Sequence, residues 1–155
     1  MSRTDVTAFV ALGANLGDAA QSLRDALTAL GVAPGIRVVR TSSLYRTAPL
    51  ESSGPDYVNA VAEVSTTLTA PALLDALQAI EEQAGRERPY RNAPRTLDLD
   101  LLLFGGALID SPRLTVPHPR MGQRAFVLVP LAEIAPSLVS TVQLDAVADQ
   151  VIEAL

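Results

Sequence analysis

The segment Arg95-Thr-Leu-Asp-Leu-Asp-Leu-Leu-Leu-Phe104 constrains this chain more than any other, because its local structure has one reading. It is short, very apolar and stopped by Gly105-Gly106, which makes it a β-strand rather than a helix. Side chains alternate along a strand, so Asp98 and Asp100 share one face while Leu97, Leu99 and Leu101 share the other. The chain must therefore build a sheet with one face on a core and two carboxylates on the opposite face. Two residues of strand rise separate the aspartate Cα atoms by about 6–7 Å, near enough to converge on one small volume. Hard divalent cations, Mg²⁺ above all, take a few carboxylate oxygens and fill their other positions with water and substrate phosphates. Two such ions can be bridged by one aspartate pair. A lone Asp-x-Asp is more often a solvated strand face beside a salt-bridging arginine, so the surroundings must decide.

Charge placement is the first of those surroundings. The chain is net acidic at −5, and all twelve of its basic residues are arginine. The absence of lysine removes Schiff-base chemistry and the lysine of a phosphate-binding P-loop. Seven of the arginines fall between Arg86 and Arg124, against four acidic residues there. An arginine-rich segment around an aspartate pair, on an acidic protein, points to a focused site for a phosphorylated ligand rather than a long polyanion. With no cysteine and one histidine, disulfides, thiol nucleophiles, cysteine-bound zinc and histidine-rich metal sites are excluded. No apolar run approaches the ~20 residues of a membrane helix, and Phe9–Leu12 is too short for a secretory core. The expectation is a cytoplasmic protein with a single domain over residues 1–155.

Along the chain, Val6–Leu12 predicts a buried strand, stopped by Gly13-Ala-Asn-Leu-Gly17. Asp18 is an N-cap for a helix through about Leu30, with Leu23, Leu27 and Leu30 on one face and Gly31 ending it. Ile36–Arg46 predicts a second strand, Thr47–Asp56 a loop, and Val58–Leu68 a third strand. Pro71 opens a second helix with Leu73, Leu74, Leu77 and Ile80 as its core stripe and Gly85 at its end. Arg86–Pro94, with its prolines and arginines, predicts a mobile loop before the aspartate strand. The order β-α-β-β-α-β is an α+β, ferredoxin-like sandwich. Beyond it the sequence predicts a short hairpin through Ile109 and Leu114, a helix over Arg124–Ile134 and a C-terminal helix over Leu144–Leu155.

Three further clusters each have a structural reading when taken alone. His118, between prolines in Thr115-Val-Pro-His-Pro-Arg120, reads as a satisfied structural group. Tyr57 and Asn59, on one strand face, read as a core tyrosine and a capped amide. Glu81 reads as a solvated helix position.

Together they carry a resemblance. Asn92-Ala-Pro-Arg-Thr-Leu-Asp-Leu-Asp-Leu101, Leu114-Thr-Val-Pro-His-Pro-Arg-Met121 and Arg124-Ala-Phe-Val-Leu-Val-Pro-Leu-Ala-Glu-Ile-Ala-Pro136 resemble the 6-hydroxymethyl-7,8-dihydropterin pyrophosphokinase family of folate biosynthesis. Leu12-Gly-Ala-Asn-Leu-Gly17, Tyr45-Arg-Thr47 and Pro55-Asp-Tyr-Val-Asn-Ala60 match the same family in the same order. The resemblance implies transfer of the β,γ-pyrophosphoryl group of ATP to the pterin hydroxymethyl oxygen, with release of AMP. It implies that Asp98 and Asp100 hold two Mg²⁺ ions and that Arg95, His118 and Arg124 face the triphosphate. Arg86 and Arg88 would close over it, with Arg86 and Arg95 acting in catalysis and Glu81, Arg113 and Thr115 completing the ATP set. The pterin would lie between Tyr57 and Phe126, its polar edge read by Asn59 and by backbone near Thr47 and Leu50.

Such an enzyme is expected to act as a monomer on ATP and the pterin, with no nucleic acid or membrane partner. Two departures stand out: Ala14 where many relatives carry a small hydroxyl, and Asn92 where many carry tryptophan. The rival reading is a non-catalytic ferredoxin-like ligand- or RNA-binding module. An RNA-binding sheet needs exposed aromatics and a basic surface, against 4% aromatics and net negative charge here.

Overall fold

The computed structural model describes residues 5–15, 18–48, 56–86 and 97–155, with Arg86 described in its backbone alone. The elements follow as β1 (Val6–Ala14), α1 (Ala19–Val32), β2 (Ile36–Thr41), β3 (Tyr45–Thr47), β4 (Tyr57–Thr66), α2 (Ala70–Arg86) and β5 (Asp98–Phe104). After them come β6 (Ile109–Asp110), β7 (Thr115–Val116), α3 (Ala125–Ile134), α4 (Thr141–Ala146) and β8 (Ile152–Ala154). The main sheet runs β5-β1-β4-β3-β8, with β2 pairing the far half of β4, and every pairing is antiparallel. With β2 and β3 taken as one broken strand, β1 to β5 give the expected ferredoxin-like βαββαβ order.

Strand alternation sorts the sheet into two faces. Ala8, Val10, Leu12 and Ala14 of β1, with Val58, Ala60, Ala62 and Val64 of β4, point into the larger core beneath α1 and α2. Leu97, Leu99 and Leu101 join them there, as their spacing predicted. α1 starts where Asp18 Oδ1 accepts the Gln21 N–H at 3.1 Å, and it buries Leu23 and Leu30 fully. α2 starts at Thr69, whose Oγ1 accepts the Ala72 N–H at 3.3 Å. Leu73 and Leu77 supply its buried face, while Leu74 is only half-buried. The opposite sheet face carries Phe9, Val61 and Leu102, covered by Val127, Leu131 and Ile134 of α3. α3 covers only part of that face; Asp98 and Asp100 lie on its uncovered remainder.

Four details depart from the sequence reading. Gly31 does not end α1, which continues to Val32; a glycine can sit inside a last turn that packs well elsewhere. α2 likewise runs past Gly85 to Arg86. The strand predicted over Ile36–Arg46 is broken at residues 42–44: buried Ser42 donates its N–H to Val61 O and its Oγ accepts the Val61 N–H, both at 2.9 Å. A side-chain hydroxyl thus replaces one rung of the ladder. The last correction is at the C-terminal end, where α4 is short and residues 152–154 form β8 against β3. Ile152 pairs with Thr47 and Leu155 N–H reaches Leu44 O at 3.0 Å, so an open strand edge outcompetes helix propensity.

The outer margin of β5 is closed by two hydrogen bonds. Glu81 Oε2 accepts the Leu99 N–H at 2.8 Å, and the His118 N–H donates to Leu102 O at 2.9 Å. Among the described residues no helix is long and apolar enough to cross a membrane.

Candidate active site

A cavity of about 730 Å³ opens where α3 stops covering the sheet. Its floor is one row across three strands: Asp98 of β5 faces Gly13 of β1, and Gly13 faces Asn59 of β4. At ~4.8 Å per strand, the carboxylate and the amide stand about 10 Å apart on a rigid ladder. Asp100 stands one pleat along the same face, opposite Ala11. Tyr57 and Thr47, themselves paired, continue the floor, while Arg120, Gln123, Arg124 and Phe126 form the wall from the segment that enters α3.

Gly13 is required by this floor. A Cβ there would lie 2.9 Å from Asn59 Oδ1, so any larger residue displaces the amide. Asn59 is 4% exposed and its Nδ2 donates to Thr47 Oγ1 at 2.7 Å, a fully buried bond. That bond holds the amide in place, and whichever end meets the hydroxyl, donor or acceptor capacity is left facing the cavity. Such a group is suited to the polar edge of a flat heterocycle.

The electrostatics of the other end call for a cation. Burial pushes the Asp100 carboxyl above the usual aspartate range; His118 and Arg124 oppose this, and Asp98 adds to it. Burial likewise pushes His118 down, with Asp100 opposing and the Arg124 and Arg120 guanidinium groups adding to the shift. His118 Nδ1 accepts the Arg120 N–H at 3.2 Å, which orients the ring. Among the described residues no cluster of three or more histidine, cysteine, aspartate or glutamate side chains forms. Two hard carboxylate donors, with room beside them, suit Mg²⁺ shared with phosphate oxygens and water. Arg124 stacks its guanidinium over the Phe126 ring, 5.3 Å from the centroid.

The structure thus brings together Asp98, Asp100, Thr47, Tyr57, Asn59, Arg124 and Phe126, with His118 coupled to Asp100. Four expected ATP residues are not in the cavity wall: His118, which lies close enough to Asp100 to interact with it, and three that lie elsewhere. Glu81 holds the β5 backbone, Thr115 lies exposed on β7, and Arg113 pairs with Asp75 and Gln78 of α2. Leu50, Arg88 and Arg95 fall outside the described residues, as do the Arg86 side chain and the loop expected after it. Ala14 packs into the core on the far side of the sheet, so a hydroxyl there would not reach this cavity. Arg120 and Gln123 were not singled out by the sequence; Arg120 stood within the quoted Thr115–Arg120 motif, which was the available signal.

Residues 9–136 match the family model for 7,8-dihydro-6-hydroxymethylpterin-pyrophosphokinase. The chain belongs to that family. It is 49% identical over 135 residues to the 2-amino-4-hydroxy-6-hydroxymethyldihydropteridine pyrophosphokinase of Haemophilus influenzae, covering 86% of this chain and 84% of that one. The protein of the same name from Pseudomonas aeruginosa is 52% identical over 131 residues, covering 84% of this chain and 81% of that one. Among solved structures, wild-type Plasmodium falciparum HPPK-DHPS with pteroate superimposes with a TM-score of 0.68 at 14% identity. That match covers 86% of this chain and 39% of that one, so the chain spans well under half of the longer protein and the likeness concerns the fold. Family membership carries the ferredoxin-like architecture and the pyrophosphokinase class.

Proposed function

We propose that this pyrophosphokinase transfers the β,γ-diphosphate of ATP to the hydroxymethyl oxygen of 6-hydroxymethyl-7,8-dihydropterin, yielding the pterin diphosphate and AMP in folate biosynthesis. The observation that carries the reading is one cavity lined by a carboxylate pair and by a buried, hydrogen-bonded amide together with Tyr57 and Phe126. The pterin oxygen forms a bond to the β-phosphorus, the bond from that phosphorus to the α,β-bridging oxygen breaks, and AMP leaves. The hydroxyl proton passes to solvent, and no side chain is assigned as its base.

Asp98 and Asp100 would hold two Mg²⁺ ions, which would supply neutralising charge to the triphosphate oxygens. Arg124 and Arg120 face the same region and add fixed positive charge, since an anionic nucleophile must approach an anionic phosphorus. Arg86, Arg88 and Arg95 are assigned to the phosphates by resemblance, as are Glu81, Arg113 and Thr115 at the nucleotide's periphery. His118, held with its Nδ1 as acceptor, is suited to donate from its other nitrogen to a phosphate oxygen. Tyr57 and Phe126 sandwich the pterin while Asn59 reads its edge. The strand ladder sets the separation of the two substrates, which provides the orientation term of catalysis. The enzyme is taken to act as a cytoplasmic monomer, as a single domain over residues 1–155.

The test is incubation with ATP, Mg²⁺ and the reduced pterin. AMP and a pterin diphosphate in equal amounts are expected; ADP as the nucleotide product would overturn the assignment.

A further inference from the structure

Arg124 occupies the N-cap of α3 and makes no side-chain capping bond. The N–H groups of a first helical turn need acceptors from outside the helix. For Ala125 that acceptor is Oε1 of Gln150, 2.9 Å away, in the turn after α4. The Nε2 of the same side chain donates to Gln123 O, also at 2.9 Å. The amide's orientation follows from chemistry, because a peptide N–H only donates and a peptide carbonyl only accepts. One side chain therefore grips the main chain on both sides of Arg124, at residues 123 and 125. Gln150 is itself anchored: its N–H donates to Val147 O at 3.0 Å, and Val147 is buried with Ala125 and Leu128. Gln150 also lies outside residues 9–136, the part that matches the family model.

We propose that Gln150 is a positioning residue for the phosphate-facing arginine: it clamps the backbone at 123 and 125 and so aims the Arg124 guanidinium into the cavity. The proposal rests on the reading of Arg124 as a triphosphate contact. Loss of the clamp leaves the Ala125 N–H and the Gln123 carbonyl to find water; the Arg124 carbonyl still accepts the Val127 and Leu128 N–H groups, but the chain entering it loosens and its side chain is less sharply aimed. A residue that merely stabilised the fold would act equally whatever stood at 124.

The experiment is a double-mutant cycle on affinity for Mg²⁺ with a non-hydrolysable ATP analogue, measured without pterin. Gln150→Ala should weaken binding about five- to tenfold, the scale of one or two lost hydrogen bonds, and Arg124→Ala at least as much. In the Arg124→Ala background, adding Gln150→Ala should cost less than about twofold, because the group it aims is gone. Gln150→Met, which keeps side-chain length and apolar packing but removes both polar ends, should reproduce Gln150→Ala and serves if the alanine variant folds poorly. Hydrogen exchange should rise at the Ala125 amide in either variant. Unchanged affinity in the Gln150 variants, or the same loss in both backgrounds, overturns the clamp alone. A silent Arg124→Ala overturns the phosphate reading of Arg124 and the clamp with it.

Discussion

Asn59 shows how much one buried side chain can specify. Its amide is hydrogen-bonded to Thr47, and the missing side chain at Gly13 leaves it room, so its position toward a ligand is fixed by the two neighbouring strands. Thr47→Val removes the acceptor while nearly conserving volume, and should weaken pterin affinity about tenfold, with Thr47→Ser close to the parent. Calorimetry with the pterin alone checks this; equal affinity in the valine variant would mean that the hydroxyl does not set the amide. Phe126→Ala should weaken pterin binding by about 1–3 kcal/mol through lost stacking and burial, with little change in nucleotide affinity. At the other end, Asp98→Ala or Asp100→Ala should leave a folded protein whose turnover falls by at least ~10³. Near-normal turnover of either variant in Mg²⁺ would remove the two-aspartate assignment. Asp98, Asp100 and Asn59 were legible because they sit on strands, where the period of two assigns a face, while Thr47 and Phe126 were named through the family resemblance. Arg120 and Gln123 sit at the two ends of a single 3₁₀ turn before α3, too short for spacing to assign a face, and only the folded backbone brings them into the cavity wall.

Among the elements, α3 is held by polar side chains as well as by its apolar face. Glu133 accepts from the Tyr45 Oη–H at 2.6 Å, from the Ser43 N–H at 2.9 Å and from the Ser43 Oγ–H at 2.9 Å, tying α3 to the break between β2 and β3. Arg40 donates to Ile134 O at 2.8 Å at the same end of the helix. Burial pushes Glu133 up, yet the hydrogen bonds from Tyr45 and Ser43 outweigh it and leave the carboxyl below its usual range. Burial first, then the Glu133 hydrogen bond and charge, push the Tyr45 hydroxyl up to about 12. A depressed carboxylate contributes stability that is present above its unfolded value of ~4.3 and disappears as pH falls through the folded one. A raised phenol contributes stability that is full below its unfolded value of ~10 and is lost as pH rises through the folded one. Glu133→Ala should destabilise by about 1–2 kcal/mol at neutral pH and flatten both limbs of a denaturant-midpoint profile against pH. Parallel profiles for variant and parent would show that this tie carries no pH-linked stability. None of it was readable beforehand: Glu133 and Tyr45 are 88 residues apart, and helical periodicity says nothing about which loop a polar helix position will meet. β8 was hidden for a related reason, since a three-residue strand has no pattern of its own and exists by pairing with β3.

For the whole molecule, an antiparallel sheet has two margins, and unpaired peptide groups along a margin are a template for another chain. The two margins here differ. One is shared by the short β8 and by β2, which carries charged and polar residues. The other is β5, long and very apolar, the segment from which the fold could first be read. Its Leu99 N–H is taken by a glutamate from α2 and its Leu102 carbonyl by the backbone of His118. Glu81→Ala should therefore increase concentration-dependent light scattering on mild heating, while the parent stays clear. Identical scattering would mean that the margin is protected without it. The segment that brings His118 beside the carboxylates also seals the strand that carries them, so a substitution that dislodges it should have a second consequence: an uncovered strand margin that can seed fibrillar polymerisation.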